Sequence, residues 1–137
     1  MNEKSLAPVK VGVVGLGRFG RLHALTLARL AEAELVALVA RRQASLNALG
    51  RELPGVPGWT SLPQALAEST AEAWVVACTT AEHVPVVRML LEAGKTVLLE
   101  KPVAANLEEA RSLAPLVRPD SSNLMSSRLI CAHGRAS

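Results

Sequence analysis

The sequence predicts an α/β fold, a doubly wound parallel sheet covered by helices on both sides. Three observations point to it. Short aliphatic runs alternate about four times with longer stretches whose apolar residues recur at three- and four-residue spacing. The runs are apolar at nearly every position, as expected of strands buried on both faces. Finally, 137 residues fit a single compact unit with one core, in which strands joined by helical crossovers lie parallel.

The first run, Val9 to Val14, is bounded by Pro8 and Gly15 and reads as a buried strand. A helix follows, with Leu16, Phe19, Ala24, Leu27, Ala28 and Ala31 expected on one stripe against the sheet. Leu35 to Ala40 is the second strand, and Ser45 to Leu53 a short helix ending before the turn-rich "LPGVPGW". Ser61 then forms a capping box with Gln64, Pro63 being tolerated in the first turn of the helix it opens. Ala73 to Cys78 is a third buried strand. Val84 to Ala93 is helical and stops at Gly94, where a left-handed residue closes a helix. Thr96 to Leu99 is a strand again, and "NLEE" at Asn106 to Glu109 opens a helix reaching about Val117.

Beyond Arg118 the pattern stops. Residues 1–117 are therefore expected to form the domain and 118–137 an irregular tail, in which Leu129 to Cys131 adds at best a short edge strand.

Composition excludes several function classes. The formal charge is +3, but the stretch from Arg118 onward holds three Arg against Asp120, so the remainder is almost neutral. With no Tyr and Phe19 as the only Phe, the chain lacks the basic, aromatic surface of a nucleic-acid binder, and a membrane surface is equally disfavoured. No apolar run approaches the roughly 18 residues of a spanning helix. Cys78 and Cys131 stand far apart, with neither disulfide nor metal-ligand spacing, and a reducing cytoplasm is the expected compartment. Cys78 lies in an apolar run and reads as an inert buried thiol.

The stretch "VGVVGLGRFGRLHA" places Gly15, Gly17 and Gly20 as G-x-G-x-x-G between a buried strand and a helix. The spacing alone recurs in plain turns; its placement gives it meaning. Gly15 permits the tight turn, Gly17 lets backbone approach a pyrophosphate, and Gly20 allows helix and strand to pack closely. The amides of Arg18, Phe19 and Gly20 at the helix start then face the phosphates, aided by the helix dipole at roughly 0.3–1 kcal/mol per charge.

A site built for NAD carries an acid at the end of the second strand to take the ribose hydroxyls. Here that place reads "VARR": Ala40 offers no acceptor, while Arg41 and Arg42 offer positive charge. Glu34 sits at the opposite end of the strand. A charge-assisted hydrogen bond to a 2′-phosphate contributes roughly 1.5–3 kcal/mol, so NADP is favoured over NAD, with Arg41 the better candidate of the two.

A second motif is more specific. "TTAEHVPVVRMLLEAGKTVLLEKPVAANLEEA", Thr79 to Ala110, together with the glycine loop, resembles the Gfo/Idh/MocA family of sugar and polyol oxidoreductases over about residues 9–117, the extent of that family's Rossmann nucleotide-binding domain. The marks are the glycine loop, His83 after the strand Ala73 to Cys78, "EAGK" at Glu92 to Lys95, and "EKP" at Glu100 to Pro102. The resemblance implies that Lys101 is catalytic, hydrogen-bonding a substrate hydroxyl and sharing in its proton as hydride moves to the nicotinamide. It implies that Glu100 and Pro102 frame that Lys, and that His83 lies near the nicotinamide end. Cys78, Thr79 and Thr80 depart from the family's usual Thr-Pro-Asn, so cofactor contacts there are expected from backbone and the two hydroxyls.

The resemblance also implies a second domain, an open antiparallel sheet that binds the sugar or polyol and builds an oligomer interface. The chain is expected to lack it: "LMSSRLICAHGRAS" leaves the pattern just after Leu124 and Met125 begin a strand, as a truncated gene, a frameshift or a deliberately short protein would. Turnover by such a chain is in question, because much of the rate comes from orientation in a dry, preorganised site. A dinucleotide-sensing or regulatory protein, or an inactive product with an exposed sheet edge, are the alternatives.

Overall fold

The structure, a computed structural model, describes residues 7–99, 111, 113–117 and 124–126. Within them a six-stranded, wholly parallel sheet has the order β3-β2-β1-β4-β5-β6. The elements are β1 (Val9–Val14), α1 (Arg18–Leu27), β2 (Ala33–Val39), α2 (Gln43–Gly50), β3 (Gly58–Trp59), α3 (Leu62–Glu68), β4 (Ala73–Val76), α4 (Thr80–Glu92), β5 (Thr96–Leu99) and β6 (Leu124–Ser126), with a 3₁₀ turn at Ala114–Leu116 before β6. The chain winds outward from β1 through β2 to β3, crosses back, and winds the other way through β4, β5 and β6. The strand order therefore reverses between β1 and β4.

Side chains of alternate strand residues feed two cores, one on each face. Val11 and Val13 pack with Ala24, Leu35, Leu38, Leu46 and Leu49 beneath α1 and α2. Val14 packs on the other face with Trp74, Val76, Val87, Leu90 and Val97 beneath α3 and α4. The phase of β2 shifts because the register slips between Val11 and Gly12: Val11 faces Leu35 and Gly12 faces Ala37, leaving Val36 as an extra residue. Leu35 and Leu38 consequently share a face despite a spacing of three. Gly12 lies against the Trp74 ring, where a Cβ would meet the indole at 2.5 Å.

The helix ends follow local chemistry. Ser61 accepts from the Gln64 amide at 3.3 Å and opens α3, with Pro63 in its first turn. Helix α4 closes on Gly94 at φ +79°, with Lys95 N donating to Leu90 O and Gly94 N to Leu91 O, each at 3.0 Å.

Several expectations are corrected. Helix α4 begins at Thr80 rather than Val84 and takes Pro85 inside it, where the missing N–H forgoes one helical bond. The "LPGVPGW" stretch contains an edge strand, β3, held by backbone bonds from Leu38 N to Pro57 O (3.0 Å) and Ala40 N to Trp59 O (3.1 Å). Phe19 does not join the apolar stripe of α1: it is 59% exposed, while Gly20 and Ala24 face the sheet. The stretch 118–137 is not irregular throughout: Leu124–Ser126, where the sequence begins a strand, pairs in register with Val97–Leu99 as the sixth strand. Leu129 to Cys131 and the helix start at Asn106 to Glu109 lie outside the described residues.

Candidate functional site

At the carboxyl ends of β1, β2 and β4, where the strand order reverses, the chain leaves an open cleft of about 440 Å³. Gly15, Leu16 and Gly17 line it from the first loop, Ala40, Arg41, Arg42 and Ser45 from the end of β2 and the start of α2, and Cys78, Thr79 and Glu82 from the β4–α4 turn. The loop is pinned from two sides. Gly15 N donates to Val39 O at 2.8 Å, and Ala77 N donates to Val14 O at 2.8 Å.

The three glycines are required for different reasons. Gly15 has φ +92°, and a Cβ there would lie 2.6 Å from Cys78 N. At Gly20 a Cβ would stand 1.6 Å from Gly15 O, so α1 approaches the loop more closely than any side chain permits. Gly17 is unlike both: its φ is −72° and nothing lies within 4 Å of where its Cβ would be. Within the described fold, nothing demands glycine at 17.

Gly17 is also the N-cap of α1, contributes no side-chain cap, and is followed by no acid in the first turn. The amides of Arg18, Phe19 and Gly20 thus begin the helix without an intrahelical acceptor. The side chains of Arg18 and Phe19 are exposed and do not line the cleft; the Arg18 guanidinium sits 6.0 Å from the Phe19 ring centroid.

Opposite the loop, the β4–α4 turn is held from beneath. His83 is 1% exposed, and its Nε2 donates to the Cys78 carbonyl at 2.8 Å. Its ring is therefore under the turn rather than in the cleft, which it does not line. Burial pushes the Cys78 thiol up to about 11, with the nearby Glu82 carboxylate acting in the same direction, so at neutral pH the sulfur is protonated and unreactive. Thr79 lines the cleft, and Thr80 opens α4.

Arg41 and Arg42 both stand at the rim, as the sequence placed them. Arg41 is not alone there: its guanidinium forms an ion pair with Glu82, in the first turn of α4. Sequence reasoning missed Glu82, along with Ser45 and Thr60, which reach the cleft from α2 and from just beyond β3. Helix-start position and an acidic side chain one residue before His83 were the available signals for Glu82. Glu100, Lys101 and Pro102 lie outside the described residues; the strand before them, β5, ends at Leu99 beside Val76 of β4.

Comparison with known proteins agrees with this geometry. The model of the Gfo/Idh/MocA oxidoreductase family, NAD-binding Rossmann fold, matches residues 9–127. The chain is 30% identical over 112 residues to scyllo-inositol 2-dehydrogenase (NAD(+)) of Bacillus subtilis, covering 80% of this chain and 32% of that protein. Among solved structures, GenD2 from gentamicin A biosynthesis, in complex with NAD, superposes with a TM-score of 0.80 at 29% identity, covering 96% of this chain and 40% of that one. Scyllo-inositol dehydrogenase from Lactobacillus casei, with bound NAD(H) and scyllo-inositol, gives 0.78 at 26% identity over 88% of this chain and 35% of that one. The chain spans about a third of the length of the curated relatives it matches.

Proposed function

The chain belongs to the Gfo/Idh/MocA oxidoreductase family, with its NAD-binding Rossmann fold, and from that premise we propose that the cleft binds a nicotinamide dinucleotide, NADP in preference to NAD. Gly17 carries the reading. Its neighbours Gly15 and Gly20 are glycines because the fold closes on them, whereas the space at Gly17 is empty and opens on the cleft, as backbone approach to a pyrophosphate requires. The uncapped amides of Arg18, Phe19 and Gly20 supply donors to that diphosphate.

The residues present fit the group at its other end as well. Ala40 at the end of β2 gives no acceptor for ribose hydroxyls, and Arg41 and Arg42 give the rim the positive charge that a 2′-phosphate takes. Cys78 and Thr79 contribute backbone and a hydroxyl on the facing wall, and Thr80 contributes its place at the start of α4. His83 acts from below, fixing the turn that carries them.

In this reading a bound nicotinamide would supply the hydride chemistry, accepting hydride from, or returning it to, the hydroxyl-bearing carbon of a sugar or polyol. The chain's own part in that chemistry falls to Lys101, two residues beyond β5. As a neutral amine Lys101 would take the hydroxyl's proton as hydride leaves the carbon, and as the resulting ammonium it would return that proton in the reverse direction; in this reading its sequence neighbours Glu100 and Pro102 aim it. The polyol class is supported by relatives such as the B. subtilis and L. casei scyllo-inositol dehydrogenases. Among the described residues no helix is long and apolar enough to cross a membrane, and a reducing cytoplasm suits the protonated Cys78.

The test is a titration of the purified chain with NADPH and with NADH, read by nicotinamide fluorescence. Saturable binding of both, tighter for NADPH, is expected. Binding of neither removes the proposal, and tighter binding of NADH removes the cofactor preference.

A further inference from the structure

The Arg41–Glu82 pair crosses the mouth of the cleft. Arg41 follows β2, Glu82 lies in the first turn of α4, and the two are 41 residues apart in sequence. Both line the same cavity as Gly15 and Gly17, and they are joined there through Arg41 Nη1 and Glu82 Oε2. The Arg41 side chain is 81% exposed, so no packing holds it; the carboxylate of Glu82, 30% exposed, is the better anchored of the two. Glu82 lines the cleft together with Cys78 and Thr79 of the β4–α4 turn.

This arrangement bears on one part of a dinucleotide only. A 2′-phosphate that is to be held by Arg41 must first take the guanidinium from Glu82, and it must then sit beside a carboxylate of its own sign. A free 2′-hydroxyl meets neither obstacle. Arg42, at the N-cap of α2 on the same rim, supplies positive charge and has no acidic partner among the described residues, so the site keeps attraction for phosphate while Arg41 is engaged.

We propose that Glu82 is a specificity-determining residue for the cofactor: by holding Arg41 across the cleft it narrows the advantage of a 2′-phosphorylated dinucleotide over an unphosphorylated one. The inference rests on the reading that this cleft binds a nicotinamide dinucleotide. Its size follows from the exposure of the pair, since exposed ion pairs are weak, and a gain of about two- to fivefold in NADPH affinity is what releasing Arg41 yields.

The experiment compares the full chain with its Glu82→Gln, Arg41→Ala and doubly substituted forms, titrated with NADPH and NADH, and with 2′,5′-ADP and 5′-AMP as probes of the adenosine end. Glu82→Gln is expected to raise the NADPH-to-NADH affinity ratio about two- to fivefold, to raise the 2′,5′-ADP-to-5′-AMP ratio in parallel, and to lose this effect in the Arg41→Ala background. Glu82→Ala should behave like Glu82→Gln. An unchanged ratio in both Glu82 variants, or the same rise without Arg41, overturns the inference while leaving dinucleotide binding intact. If the unsubstituted chain binds none of the four ligands, the functional reading and this inference fall together.

Discussion

His83 and Cys78 are joined by a 2.8 Å hydrogen bond from the imidazole Nε2 to the backbone carbonyl, made beneath the surface of the cleft. A carbonyl can only accept, so Nε2 carries the proton. The bond ties the first turn of α4 to the loop that leaves β4, and so fixes where Cys78, Thr79 and Glu82 stand along the cleft wall. The His acts on this site by positioning the turn.

Replacing His83 by Leu tests that role. The substitution keeps the bulk but leaves the Cys78 carbonyl without its donor, and a loss of about 1–3 kcal/mol of stability is expected. Thermal or denaturant unfolding measures it. An unchanged midpoint would show that the bond does not hold the turn.

Gly20 and Gly17 should respond in opposite ways to the same change. Gly20→Ala puts a methyl group 1.6 Å from Gly15 O, which neither backbone can relieve without moving α1, and the variant should fail to fold or unfold at far lower denaturant concentration. Gly17→Ala meets nothing within 4 Å, so its stability should stay within about 0.5 kcal/mol of the parent while its dinucleotide affinity falls at least about tenfold. Paired unfolding curves and titrations separate the two.

Arg41→Ala should weaken NADPH more than NADH, since the guanidinium serves only a charged 2′ substituent. The expected difference is below the roughly 1.5–3 kcal/mol of an unrestrained charged bond, because Glu82 already occupies the group. Equal losses for the two cofactors would contradict the assignment of Arg41 to the 2′ position.

The Cys78 thiol gives a pH signature. Its folded value of about 11 lies above the 9.0 of an ordinary thiol, so folding favours the protonated form. The stability contributed by this difference is fully present below about pH 9 and is lost as pH rises toward 11. At pH 8 a Cys131→Ser variant should react with iodoacetamide much more slowly when native than when unfolded. Equal rates would mean that the thiol is neither buried nor held neutral.

Much of this architecture is written locally. Val9 to Val14, Ala73 to Cys78 (a strand as far as Val76) and Thr96 to Leu99 announce themselves as apolar runs, Ser61 and Gln64 as a cap, and Gly94 as a helix end, because each depends on residues within one turn or one strand. Strand β3 left no such mark. Two residues in a Pro- and Gly-rich stretch become a strand through backbone bonds to β2, which no side-chain pattern encodes. Phe19 looked like core from its spacing, but the face of α1 is chosen by Gly20, whose missing side chain brings the helix against Gly15. The glycine loop and both rim arginines were legible from motif and strand order. Glu82 was not, since its meaning arises only when two segments 41 residues apart meet across the cleft. Lys101 rests on the family's motif alone and lies outside the described residues.

The most direct measurement of the central claim is an amide-resolved NMR titration of the chain with NADPH. Saturating shifts should concentrate at Gly15, Gly17, Arg18, Phe19 and Gly20, with further changes at Arg41, Arg42 and Thr79, and should be small at the opposite edge of the sheet. Shifts that avoid the glycine loop, or a spectrum unaltered by the dinucleotide, would contradict the claim that the bare backbone at Gly17 receives its diphosphate.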